Sequence, residues 1–262
     1  MKHIAAILLA LLAIGCLEDF DSATIISKNR VLGARIGVVG DEGRASPKAG
    51  EEVAIEWLVV DEEAPRRLSW AFLACAQGPT DSGQFYCIAE PFFVEIEPAP
   101  GNAAPALRFQ VPPDIDRILV RGIICAEGTP DLDLEALSAR CAGGDAMESS
   151  VILSVDVQEE GDTPNQNPSI TGTTFKFATD EWDAVPAGTA VDCQTPPDEV
   201  PTAPRSKTDA LIEIIPAAEP EEYTVPGTNG VGTRTVTEDL FFSHYVTAGE
   251  MDRQYSTIDP DD

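Results

Sequence analysis

The chain has 262 residues, and 45 Asp and Glu against 17 Lys and Arg leave a formal net charge of −28. Hydrophobic residues make up 43% of it, enough for packed cores and too many for a wholly disordered chain. Such acidity argues against nucleic-acid binding, where phosphate contacts need clustered Lys and Arg, and against electrostatic docking on anionic lipid.

Lys2 precedes an uninterrupted apolar run over residues 4–14. At ~1.5 Å per residue this run spans about 16 Å as a helix, well short of a ~30 Å hydrocarbon core. It therefore reads as the apolar region of a secretory signal, not as a membrane span. The run ends in Ala13-Ile14-Gly15-Cys16. This ending resembles the lipobox of bacterial lipoproteins, in which a dedicated peptidase cuts just before a cysteine that carries lipid. Ala13 stands where that pattern usually has Leu. The resemblance implies a removed signal peptide over residues 1–15, a lipid on Cys16 and the membrane as partner through it. Residues 16–29, which include Glu18, Asp19 and Asp21, then form an acidic tether. In Gram-negative lipoproteins Asp after the cysteine commonly marks retention at the inner membrane. Leu17 at that place implies the outer membrane, facing the periplasm or the cell surface.

Residues 30–158 read as β-structure throughout. Apolar residues alternate over 30–39, and Val53, Ile55, Trp57 and Val59 share one face of the next strand. Further strands are expected at 68–75, 85–88, 92–97, 106–111, 117–125 and 150–157. In the fifth of these Ile118, Val120 and Ile124 share a face; in the last, Val151, Leu153, Val155 and Val157 do. Residues 131–140 look helical, because Leu132, Leu134 and Leu137 have near-helical spacing and Asp131 and Asp133 suit a helix N-terminus.

An exported chain meets an oxidising compartment, where disulfides are expected. Cys16 apart, Cys75, Cys87, Cys125, Cys141 and Cys193 remain, an odd number. Local spacing favours Cys75 with Cys87 and Cys125 with Cys141, leaving Cys193 as a free thiol. No Cys-x-x-Cys pair accompanies them, so a zinc site has little support.

Residues 159–168 are polar, carry Pro164 and Pro168 and read as a linker. Residues 169–262 predict a second domain with strands near 170–177, 182–191, 211–215, 223–225 and 236–246. Four prolines between 194 and 208 mark a long loop. Residues 251–262 offer no convincing final strand, so this second unit reads as an incomplete sheet with an open edge.

The fold class these segments predict is all-β: two tandem antiparallel Ig-like β-sandwich domains, the first with a short helical insertion. The lipobox, the acidic tether, Pro47-x-x-Gly50-x-x-Val53 and a Trp-containing strand ending at Cys75 together resemble Gram-negative secreted lipoproteins built of Ig-like modules. That resemblance implies surface exposure and no defined ligand.

No catalytic constellation stands out. A serine nucleophile needs a base, and His244, the one histidine after the signal segment, sits mid-strand on an apolar face; Gly-x-Ser-x-Gly is absent. Trp57, Trp70 and Phe72 alternate as core residues do and less as a carbohydrate platform. Calcium is the one candidate cofactor, since alternate acids in loops converge on such ions; its candidate ligands are Asp114, Asp116, Asp180, Glu181 and Asp183. The leading expectation is a non-enzymatic, lipid-anchored envelope protein presenting β-sandwich modules for adhesion, scaffolding or assembly with a protein partner. The alternatives are a subunit of an outer-membrane machine that pairs through an open sheet edge, and a carbohydrate-binding or degradative accessory.

Overall fold

In the computed structural model, which describes residues 24–27, 29–61, 67–78, 85–143, 148–178, 180–182, 209–217, 219–227, 232–246 and 251–257, the alternating segments of the first half fold as two facing antiparallel sheets. The strands are β1 (Arg30–Val38), β2 (Glu52–Val60), β3 (Leu68–Ala76), β4 (Phe93–Gly101), β5 (Ala106–Gln110) and β6 (Arg117–Cys125). After a short hairpin of β7 (Thr129–Asp133) and β8 (Ser138–Ala142) comes β9 (Glu148–Asp156). One sheet has the order β1-β2-β5 and the other β4-β3-β6-β9. The chain changes sheet between β2 and β3, β4 and β5, and β5 and β6, so the two layers are interlocked.

Alternation decides what lies between the layers. Val53, Ile55 and Trp57 from β2 and Leu107 and Phe109 from β5 meet Trp70, Phe72 and Ala74 from β3 and Ile118, Val120 and Ile124 from β6. At the centre the Trp57 and Phe72 rings stack across the two sheets, with centroids 4.4 Å apart and planes 9° from parallel. Phe72 is paired in the ladder with Gly122, and its ring lies over that residue. A Cβ at Gly122 would fall 2.2 Å from Phe72 Cδ1 and 2.4 Å from the Ala71 carbonyl oxygen.

The second sheet is covered on its outer face as well. Ala71, Leu73 and Cys75 of β3 and Leu119, Ile123 and Cys125 of β6 point away from the sandwich interior, yet all are buried. Leu132 and Ala139 of the β7–β8 hairpin, together with Cys141, pack on Ala71, Ile123 and Cys125. Leu132, Leu137 and Cys87 pack on Leu73, Cys75 and Leu119. Both disulfides, Cys75–Cys87 and Cys125–Cys141, lie in this outer layer and fix the covering segments to the sheet.

The helix expected at 131–140 is therefore a correction: the segment is a β-hairpin. Asp133 Oδ1 accepts backbone N–H bonds from Glu135 and Ala136, both 2.9 Å, so an aspartate suited to a helix start closes a turn instead. Leu137 takes a left-handed backbone, φ 49°, at the end of that turn. Asp131 pairs across the hairpin with Arg140 at 3.0 Å. Leu132 and Leu137 point at the sheet while Leu134 is exposed, a spacing that a two-residue period and a turn satisfy as well as a helix does. No helix occurs among the described residues. The strand expected at 85–88 is likewise reduced to a single bridge between Gln77 and Cys87.

The C-terminal half departs further from expectation. It forms three small sheets among the described residues, and no second sandwich. β10 (Thr174–Phe177), β11 (Asp180–Trp182) and β12 (Ile212–Ile215) make one, with β10 in the middle; β13 (Glu222–Pro226) pairs with β14 (Thr233–Thr237), and β15 (Phe241–Ser243) with β16 (Tyr255–Thr257). The strand expected at 236–246 is divided, β14 ending at Thr237 and β15 starting at Phe241, and β16 is a strand that the sequence did not announce. Val225 is the one buried hydrophobic residue described here, so these pieces have no large core of their own.

The C-terminal pieces are tied to the sandwich by polar contacts. The segment expected as a linker runs along the β1–β2 connection: the Asn165 carbonyl accepts from Ala45 N at 2.9 Å, and Asn167 N donates to the Gly43 carbonyl at 2.6 Å. Asn167 Nδ2 donates to the carbonyls of Ile36 and Glu42. Arg117 bonds Asp156 at 2.7 Å and donates its other nitrogen to the Pro226 carbonyl at 2.9 Å.

Gly122→Ala forces a methyl group into the Phe72 ring and is expected to lower unfolding stability by about 3 kcal/mol, at the upper end of overpacking costs, in a denaturant titration. Replacing Cys125 and Cys141 together by Ala is expected to cost about 3 kcal/mol, the value for a loop of this length in the chain-entropy model. The same titration, run with and without reductant, isolates that loss.

Candidate functional site

Two recesses stand out, both where the C-terminal pieces meet other parts of the chain. The larger encloses about 410 Å³ between residues 166–173 and the β12–β15 region. Its apolar wall includes Ile170, Leu240, Phe241 and Phe242, and its acids are Glu219, Glu221 and Glu238. Glu221 is positioned by its neighbours: its Oε1 accepts from Gln166 N at 2.5 Å, and its backbone carbonyl accepts from Glu238 N at 2.8 Å. Burial raises the carboxyl pKa of Glu238 above its ordinary value, and the nearby Glu221 charge raises it further. Tyr223, two residues from Glu221, is also raised, first by burial and then by the charges of Asp156 and Glu238. An apolar wall beside acids of this kind suits a ligand or peptide that combines apolar surface with hydrogen-bond donors.

The smaller recess, about 190 Å³, is lined by Gln77, Ile88, Asp114, Asp116, Arg117 and Pro226, among others. Asp114 adopts a left-handed backbone, φ 61°, which aspartate tolerates better than most residues. Gln77 is buried, and its Oε1 has no hydrogen-bond partner in the protein. Asp114 and Asp116, two of the expected calcium ligands, thus stand at this recess. Asp180 and Glu181 lie exposed on β11, and Asp183 and Cys193 fall outside the described residues. Among the described residues no three acidic, histidine or cysteine side chains converge as a metal-binding group. Cys16 also lies outside the described residues.

His244 bonds the Ser256 hydroxyl through Nε2 at 2.9 Å, joining the chain after β15 to β16. Among the described residues no carboxylate is hydrogen-bonded to His244, so the orienting third group of a hydrolytic triad is missing from this pair. The contact serves the hairpin as a cross-strand clasp.

Sequence reasoning missed Gln77, Glu221, Glu238 and Leu240 as lining residues. Glu221 and Glu238 flank β13 and β14, whose pairing brings them together, and no spacing in the chain signals that. The Arg44 cluster was equally invisible: Arg44 forms a two-pronged contact with Glu51, 2.8 Å on each nitrogen, and a 3.1 Å contact with Asp41. The Arg44 hydrogen bonds hold the Glu51 carboxyl below its ordinary pKa, against the opposing effect of burial.

These opposite shifts give opposite pH signatures. Glu51 stabilises the fold above its unfolded pKa, and that contribution disappears as pH falls through its folded value. Glu238 does the reverse: its contribution is present below the unfolded pKa and is lost as pH rises through the folded value. At pH 7, Glu51→Gln is therefore expected to destabilise by about 1 kcal/mol, the usual scale for such a contact. Glu238→Gln is expected to raise the Tm at pH 7. Both differences shrink toward pH 3, and thermal melts across that range check the signs.

No protein-family model matches the chain, and no curated protein or solved structure matches it significantly.

Proposed function

We propose that the protein is a lipid-anchored envelope protein, held through Cys16 at the outer membrane, that presents its β-sandwich to a protein partner without catalysing a reaction. The observation that carries this reading is the placement of Cys16: it ends the apolar run, follows Gly15 and precedes an acidic stretch that leads into the fold. Two disulfides in the outer layer of the sandwich support an oxidising compartment. The strand orders β1-β2-β5 and β4-β3-β6-β9 support an Ig-like reading of this sandwich, a scaffold that commonly presents loops and sheet faces for recognition. The acid surplus keeps such a surface soluble and repels anionic partners.

A second reading, a subunit of an envelope assembly that pairs through a sheet edge, is favoured by β12. Among the described residues it pairs on one side, with β10, and Leu211 and Ile215 at its ends are exposed. Co-purification of a stoichiometric partner from detergent-solubilised envelopes separates the two readings.

Intact mass of the detergent-extracted protein tests the anchor. The expected product begins at Cys16 and carries the mass of attached acyl chains, while the Cys16→Ser variant is soluble and unacylated. A soluble wild-type chain with an unmodified Cys16 would overturn the reading.

A further inference from the structure

Little chain separates Cys16 from the fold. Thr24 and Ile26 are buried, and residues 24–26 run parallel to Val246: Ile26 N donates to the Val246 carbonyl at 2.9 Å, and Val246 N donates to that of Thr24 at 2.8 Å. Residues 17–23 lie between, so a fully extended tether reaches at most about 26–29 Å at ~3.3–3.6 Å per residue. Val246 follows β15 by three residues. Whatever surface holds Cys16 therefore lies within that reach of a point beside the β15–β16 hairpin.

This hairpin exposes an aromatic pair. Phe241 and Tyr255 are 59% and 56% exposed, and their rings pack edge to face with centroids 6.1 Å apart. Phe242, paired with Ser256, occupies the alternate face.

We propose that Phe241 and Tyr255 form a lipid-contact surface, resting against the interfacial region of the membrane that holds Cys16. The inference rests on the anchor reading above. The short tether selects a lipid surface as the occupant, because the bilayer is brought to this hairpin before any partner arrives. The chemistry agrees: rings with an apolar body, one with a polar hydroxyl tip, settle at the boundary between headgroups and acyl chains. Asp239 and Asp252 flank the pair and, with the net charge of −28, favour zwitterionic over anionic headgroups.

The test uses full-length lipidated protein in vesicles of phosphatidylcholine and phosphatidylethanolamine with brominated acyl chains. A Tyr255→Trp variant reports contact, read as its emission in excess of the wild type. Leu58→Trp is the control, at an exposed position on the outer face of β2. Bromine is expected to quench the added emission of Tyr255→Trp and not that of Leu58→Trp. Adding Phe241→Ser is expected to weaken the quenching, and the unlipidated Cys16→Ser form to lose it. If Tyr255→Trp fails to fold, Phe241→Trp supplies the same readout. With Cys16 shown to be acylated by mass, an unquenched Tyr255→Trp, or equal quenching at both positions, overturns the inference and leaves the anchor reading standing; a pair unquenched because a protein covers it falls under the same outcome. A Cys16 without lipid overturns both.

Discussion

The stack of Trp57 on Phe72 organises the sandwich, because it joins the two sheets at their centre and sets a condition on a third strand. Phe72 can present its ring to Trp57 only where the neighbouring strand offers no side chain beneath it, and Gly122 is that neighbour. Ile118, Val120 and Ile124 then close around the ring pair on the same face of β6. An aromatic pair at near-parallel, close-packed geometry contributes beyond the area it buries, by about 0.5–1.5 kcal/mol. Its larger effect is on uniqueness. A one-residue slip of β6 against β3 would place Arg121 or Ile123 under Phe72, so register and packing select each other.

The second sheet is the middle layer of three. One face meets the β1-β2-β5 sheet, and the other is sealed by the β7–β8 hairpin and the Cys87 segment. Hence β3, whose sequence is an almost unbroken apolar run, is buried on both sides over most of its length. Small apolar clusters such as Ala71, Ile123 and Cys125 bury too little surface to hold a covering hairpin on their own. The disulfides make up that shortfall by cross-linking the cover to the strands beneath it, which is the usual solution where a core is small.

This division explains what the sequence made legible. β2, β5 and β9 show one buried face each, so their alternation could be read directly, and the locally simplest cysteine pairing coincides with the disulfides formed. The hairpin at 131–140 misled because its leucines serve a cover, one side facing a sheet and the other facing water, and that pattern is shared by a short helix. The acids at 131 and 133 gave the same double signal, since an aspartate accepts backbone N–H groups equally at a helix start and in a turn. The C-terminal half was illegible for a different reason. With Val225 alone buried among its described hydrophobics, it has no inward face to print a period on the sequence. Its strands are set by pairing and by contacts to the first half, which one-dimensional patterns do not carry.

Those contacts also decide how the halves behave together. They are made by Asn165, Asn167 and Arg117 with backbone carbonyls and amides, and by the pairing of residues 24–26 with Val246. Each such bond is worth about 1 kcal/mol net, far less than an apolar interface of the same extent supplies. A junction of this kind holds its geometry through the number and direction of its bonds. Within the C-terminal half, the Glu221 and Glu238 charges repel each other where β13 and β14 pair. The larger recess and the aromatic hairpin both belong to this weakly cored half, so binding at either surface acts on the part of the molecule whose shape costs least to change.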